Sequence, residues 1–159
     1  MDLILWRHAE AVEGGVSFDE DLARPLTPKG ERHADRVGRW LNQAMPASAR
    51  ILVSPALRTQ QTAKALDRRF KTCAALAPGG SVQDLLEAAR WPDSREPVLI
   101  VGHQPTLGRT LAHLLAGLPA DAAPPWRIRK SGVWWLRRRD DGEPPLEITV
   151  LTVRSPEMP

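Results

Sequence analysis

A short apolar run broken by a charged pair constrains this chain more than any other feature: Ile4-Leu5-Trp6 passes directly into Arg7-His8. An unbroken apolar stretch reads as a strand buried on both faces, which implies a parallel sheet covered by helices. The polar pair then marks the strand's carboxyl end, the rim at which open α/β sheets bind ligands. Taken alone, an Arg-His pair reads as a strand ending in solvent. The pattern, however, occurs twice more. Ile51-Leu52-Val53 leads into Ser54-Pro55, which predicts an N-cap and a first helical residue. That places Arg58 in the first turn of a helix, beside its positive dipole end, a ready anion site. Val98-Leu99-Ile100-Val101 ends at Gly102-His103, with a helix expected from about Pro105. Gly102 permits close approach to its backbone. Three strands are therefore expected to deliver Arg7, His8, Arg58 and His103 to one edge.

Composition narrows the classes. A chain of 159 residues is one domain by length, 1–159, and large enough for one hydrophobic core. No apolar run approaches a membrane span, and the start, with Asp2, is unlike a signal peptide. The single Cys73 excludes an internal disulfide and suggests a reducing cytoplasm; with no His or Asp paired to it, Cys73 is expected to be inert. Of the 22 basic residues 18 are arginine, which suits bidentate phosphate or carboxylate contacts and equally suits a compositional bias. Arg127, Arg129 and Lys130, and then Arg137, Arg138 and Arg139, raise nucleic acid as a ligand. Asp140 and Asp141 follow at once and no nucleic-acid motif is present, so these clusters read as solvated faces.

In chain order, residues 9–26 form a long loop carrying Glu10, Glu13, Asp19, Glu20 and Asp21. Arg24 can anchor this loop through Asp21 or a carbonyl. Thr27 and Pro28 predict a helix start, with Ala34, Val37, Leu41 and Ala44 on one face and an end before Pro46. A second helix is expected over 55–70, burying Ala63, Leu66 and Phe70. Residues 71–80 form a connector, and Ser81 caps a short helix with Val82, Leu85, Leu86 and Ala89 that stops at Trp91-Pro92. The helix after His103 turns Leu107, Leu111, Leu114 and Leu115 inward; His113 and His33 are expected at the surface. Two last strands, 133–138 and 146–153, flank the hairpin signal Asp141-Gly142 and extend the sheet antiparallel. One of Trp134 and Trp135 faces the core. The tail from Ser155 to Pro159 is expected to be loose. The fold class is α/β, a three-layer α/β/α sandwich with a mostly parallel central sheet.

Arg7-His8, Ser54-Pro55 with Arg58 three residues beyond, and Gly102-His103 together resemble the histidine phosphatase superfamily, the Arg-His phosphatases and phosphoglycerate mutases. The short chain, the segment from Arg24 to Gly30 and the absence of long insertions resemble its SixA-type branch, the phosphohistidine phosphatases. The likeness runs from residue 1 to about residue 115, with Ala9 departing from the glycine usual in the superfamily. It implies a phosphoglycerate mutase-like fold without a large cap insertion.

Neutral imidazole is a competent nucleophile near neutral pH, its reference pKa being about 6.5. By residue type either His8 or His103 could attack phosphorus; the resemblance assigns attack to His8, through a transient phosphohistidine. Arg7 and Arg58 would hold the phosphoryl oxygens, and His103, if protonated, would donate to them. The resemblance to the SixA-type branch implies that Arg24 lines the cleft, and Arg24 and Gln104 are expected to bind substrate. No metal or other cofactor is needed, and the arginines would repel a cation. The gap is a general acid. Glu10 and Asp21 are candidates, while a site lacking a dedicated acid favours P–N over P–O cleavage, because imidazole is the easier leaving group. The reading is hydrolysis of phosphohistidine on a phosphotransfer protein such as a helical histidine phosphotransfer domain, with neither nucleic acid nor membrane as partner. The alternatives are a small-molecule phosphomonoesterase and a non-catalytic phosphate-binding module.

Overall fold

The computed structural model describes residues 1–139 and 147–158. Strand β1 (Asp2–Arg7) lies inside a six-stranded sheet ordered β3-β2-β4-β1-β5-β6. Strands β2 (Arg50–Val53), β3 (Lys71–Thr72) and β4 (Val98–Gly102) run parallel to β1, while β5 (Val133–Arg139) pairs antiparallel with β1 and β6 (Glu147–Arg154) pairs antiparallel with β5. The apolar runs occupy the centre, and all five residues of β4 are buried. The turn signal Asp141-Gly142 lies outside the described residues.

Alternation along the strands divides the core into two layers. Ile4, Trp6, Ile51, Val53, Leu99, Val101 and Trp135 face α2 (Pro28–Ala44) and α3 (Leu57–Lys64), through Val37, Leu41, Ala63 and Leu66. Leu3, Leu5, Leu52, Val98, Ile100 and Leu136 face α4 (Val82–Ala89) and α5 (Thr106–Ala116), through Leu85, Ala89, Leu107 and Leu111. The expected three-layer sandwich follows. Trp135 is buried and Trp134 is half-buried on the opposite side, as the alternation requires. Asp2, buried at the first strand position, accepts from Trp135 Nε1 at 3.0 Å and from Arg137 twice at 2.7 Å, which locks β5 onto β1.

Several boundaries differ from expectation. The loop after β1 contains a short helix, α1 (Phe18–Leu22), closed by a reciprocal capping box between Ser17 and Glu20. Helix α3 begins at Leu57 with Ala56 as its cap, two residues later than Ser54-Pro55 suggest, because the Ser54 side chain is committed elsewhere. It ends at Lys64, and Asp67 takes a left-handed φ of 51°. Arg68 then reaches the carbonyls of Asn42, Met45 and Pro46 at the end of α2, a tertiary contact that stops the helix short of Phe70. The connector adds the edge strand β3 and a single 3-10 turn over Ala74–Leu76. His33 and His113 are half-buried, the latter bonded through Nδ1 to the Leu118 carbonyl. Ser155–Met158 is held: Pro156 is buried and its carbonyl accepts from Arg36. No helix of the described residues is long and apolar enough to cross a membrane.

Candidate active site

Register brings the site together. Arg7 pairs with Gly102 and Val53 with Val101, so three neighbouring parallel strands end at nearly one level. The residues that follow, His8, His103 and Ser54, leave the rim side by side. Backbone bonds fix them there: His8 N donates to Gly102 O, Ser54 N to Val101 O and Ser131 N to His8 O, each at 3.1 Å. Neighbouring strands lie about 4.8 Å apart, and the His8 and His103 rings stand 5.3 Å apart between centroids. A β-carbon on Gly102 would meet Leu107 only at ordinary contact distance, so close approach is not what Gly102 supplies; its carbonyl seats His8. Gly30 is one of the tightly constrained glycines, because a side chain there would overlap the Glu10 carbonyl behind the Arg-His loop.

Arg7, His8, Arg24, Arg58, His103 and Gln104 all line one cleft of about 240 Å³. His8 is 8% exposed, with Nδ1 2.7 Å from the Ala9 carbonyl. A carbonyl can only accept, so Nδ1 carries the hydrogen and Nε2 keeps its lone pair. Burial, followed by the charges of Arg58, Arg7 and Arg24, pushes the His8 pKa down to about 3 against the opposing bond to Ala9. His103, 4% exposed, is pushed down to about 2 by burial and then by His8 and Arg58. It is therefore neutral near pH 7 in the free protein, unlike the imidazolium considered from the sequence. Its Nε2 lies 2.7 Å from Ser54 Oγ, which accepts from Ala56 N and has its hydroxyl hydrogen to give. That tautomer leaves the hydrogen on Nδ1, which is buried without a partner among the described residues.

The guanidiniums are braced, each in a different way. Arg7 donates to Ile128 O at 2.7 Å, and Arg58 to Asp21 O and Oδ2. The Nε atoms of both are buried and without partners among the described residues, as is Gln104 Oε1. Arg24 meets both of its expectations: it grips Asp21 Oδ1 and Val12 O, and it also lines the cleft. Asp21 is no proton donor. Burial raises its pKa, but hydrogen bonds from Arg24 and the charge of Arg58 outweigh that and hold it below the usual carboxylate range. Glu10 accepts from Thr27 Oγ1 and faces a neighbouring groove instead. The acid that does line the cleft is Glu13, which sequence reasoning passed over; no local signal separates it from the other loop acids. Among the described residues no three His, Cys, Asp or Glu side chains gather as metal ligands would.

Two imidazoles and three guanidiniums line one cleft, a donor set suited to an oxyanion. Residues 3–79 match the histidine phosphatase superfamily (branch 1). The phosphohistidine phosphatase SixA homolog of Haemophilus influenzae is 34% identical over 130 residues, 72% of this chain and 77% of that protein. Phosphohistidine phosphatase SixA of Escherichia coli K12 is 30% identical over 126 residues, 74% and 76% of the two chains. The chain belongs to branch 1 of the histidine phosphatase superfamily. Its fold is the phosphoglycerate mutase-like one: a solved structure of the protein histidine phosphatase SixA complexed with tungstate superposes with a TM-score of 0.74. That match has 25% identity and covers 98% of this chain and 97% of the other. Within the superfamily the protein is SixA-like, and between α3 and α4 the connector holds only β3 and one 3-10 turn.

Proposed function

We propose that this single-domain histidine phosphatase hydrolyses phosphohistidine on a phosphotransfer protein, through a phosphohistidine on His8. The observation that carries the reading is the His8 imidazole, tied through Nδ1 to a carbonyl, with Nε2 unprotonated in a cleft lined by Arg7, Arg24 and Arg58. Nε2 attacks phosphorus, the P–N bond to the substrate imidazole breaks, and the departing nitrogen takes a proton from water. Water then attacks the phosphoryl group on His8, releasing inorganic phosphate and restoring the ring. Arg7 and Arg58 hold the equatorial oxygens with their braced guanidiniums, Arg24 and Gln104 contact the substrate at the rim, and His103 donates through Nδ1–H. Neutral His103 is sufficient for that bond. A phosphoryl dianion entering the cleft raises the pKa of both imidazoles by its charge.

Selectivity for P–N cleavage rests on the acids. Asp21 is spent on two arginines and Glu10 lies in the next groove, which among the described residues leaves only exposed Glu13 to protonate an alkoxide. The tungstate held by a SixA structure, a tetrahedral oxyanion, supports a phosphoryl-binding cleft, common to P–N and P–O cleavage. The test is turnover of a phosphohistidine protein against simple phosphomonoesters in the presence of a chelator. Phosphohistidine is expected to be the better substrate, and His8→Ala to lose about 10³-fold or more in kcat. Faster turnover of phosphomonoesters would reject the P–N assignment. Full activity in His8→Ala would reject the nucleophile.

A further inference from the structure

A second and larger groove, about 710 Å³, opens beside the phosphoryl cleft. Arg7 and Lys130 line both. Lys29, His33, Arg127 and Arg129 supply the rest of its basic wall, against the carboxylates of Glu10 and Glu157. One of the two basic clusters that read as solvated faces in the sequence is thus gathered at the mouth of the site. The other is not: Arg137 is taken by Asp2, and Arg138 reaches the Pro92 carbonyl.

Like charges crowd here. After burial, the charge of Arg127 is what disfavours the charged form of Arg7. Anions relieve such crowding, and the chain's own tail provides one. Glu157, carried past the groove by the anchored Pro156, lies 3.8 Å from Arg129. Burial opposes its ionisation, yet hydrogen bonds within its own segment and the charges of His33 and Arg129 hold its carboxyl below the usual range. With both side chains more than half exposed, the pair is weak and displaceable.

We propose that this groove is a docking site for carboxylates of the protein that bears the phosphoryl group, an Asp- or Glu-bearing segment beside its phosphohistidine that displaces Glu157. The inference rests on the phosphohistidine reading for its partner, but the groove itself is tested without turnover. A carboxylate partner is favoured over nucleic acid because the anion that already sits there is a carboxylate and because the cations form a pocket next to the cleft rather than a stripe along the surface.

Fluorescence anisotropy of the full chain with a labelled non-phosphorylated Glu-rich peptide, and with its Gln counterpart, decides the matter. At low salt the Glu peptide is expected to bind about tenfold tighter, and the difference to close as ionic strength rises. Lys29→Glu combined with Arg129→Glu, both at exposed positions, should abolish the difference, and Glu157→Gln should tighten binding. Equal binding of the two peptides, indifference to the double reversal, or tighter binding of a single-stranded oligonucleotide at the same residues would overturn the proposal. In turnover by the unaltered chain, changing the Glu residues that flank a phosphohistidine to Gln should raise KM and leave kcat in place; an unchanged KM also counts against the groove. If the chain hydrolyses no phosphohistidine substrate, the phosphohistidine reading falls and anisotropy still decides the groove.

Discussion

The tautomers of two buried imidazoles depend on single neighbours. Ala9 O fixes Nδ1–H on His8, and the Ser54 hydroxyl, when it donates to Nε2, selects Nδ1–H on His103. Ser54→Ala removes the second constraint while leaving a small buried side chain. We expect about a tenfold loss in kcat with little change in Tm, seen by comparing the steady-state rate with the melting curve. Asp21 has the complementary role of holding two arginines in place. Asp21→Asn leaves Arg58, 4% exposed, without its anionic partner. Because Asp21 itself is partly exposed, the expected cost is about 1 kcal/mol rather than that of a fully buried pair, measured by urea unfolding. Glu13→Gln should spare phosphohistidine turnover and reduce any phosphomonoester turnover; equal losses on both would give Glu13 a role in the P–N reaction. The sequence does not announce these roles for Ser54 and Glu13, and it marks Asp21 as an anchor for Arg24 but not for Arg58. Arg7, His8, Arg58 and His103 were legible because each directly follows or closely trails an apolar run, whereas Glu13 and Asp21 sit in a loop with three other acids.

At the scale of elements, α2 and the Arg-His loop press directly on one another. Gly30 lies in the first turn of α2 against the Glu10 carbonyl, and Glu10 O also accepts from Thr27 N at 2.9 Å. Gly30→Ala is expected to destabilise by about 1–3 kcal/mol through overpacking, and to lower kcat as the loop shifts, by calorimetry and turnover respectively. Long elements with clear periodicity, α2 and the three central strands, were evident from pattern alone. The short ones were not, though α1 carries a readable signal in Ser17 and Glu20, three residues apart. Helix α3 ended early for a reason no local rule contains: Arg68 turns away to close the carbonyl end of α2.

Across the whole molecule, burying two neutral imidazoles makes stability depend on pH. The unfolded chain takes up protons on these residues near pH 6.5, whereas the folded chain resists protonation of His8 until about 3 and of His103 until about 2. Between those limits the unfolded state binds more protons, so stability is full above about pH 6.5 and falls as the pH is lowered. Urea midpoints from pH 7.5 to 4.5 should show this decline. His103→Gln should flatten it, and inorganic phosphate should offset it by binding the folded state. A midpoint independent of pH across this range would contradict the burial of both rings.

The sequence by itself determined which segments are buried strands, that helices cover both faces of the sheet, and which four side chains stand at strand ends, because periodicity and run length are local properties of the chain. Tertiary structure alone decided that those ends lie level, through the pairings Arg7 with Gly102 and Val53 with Val101. It also decided that Asp21 braces Arg58 in addition to Arg24, that Glu10 faces the wrong groove, and that Arg127, Arg129 and Lys130 gather at the mouth of the cleft. The physical reason is common to all of these. Charge, desolvation and hydrogen bonding act through distances in space, and residues more than a hundred positions apart in the chain become neighbours only when strand order and register are set.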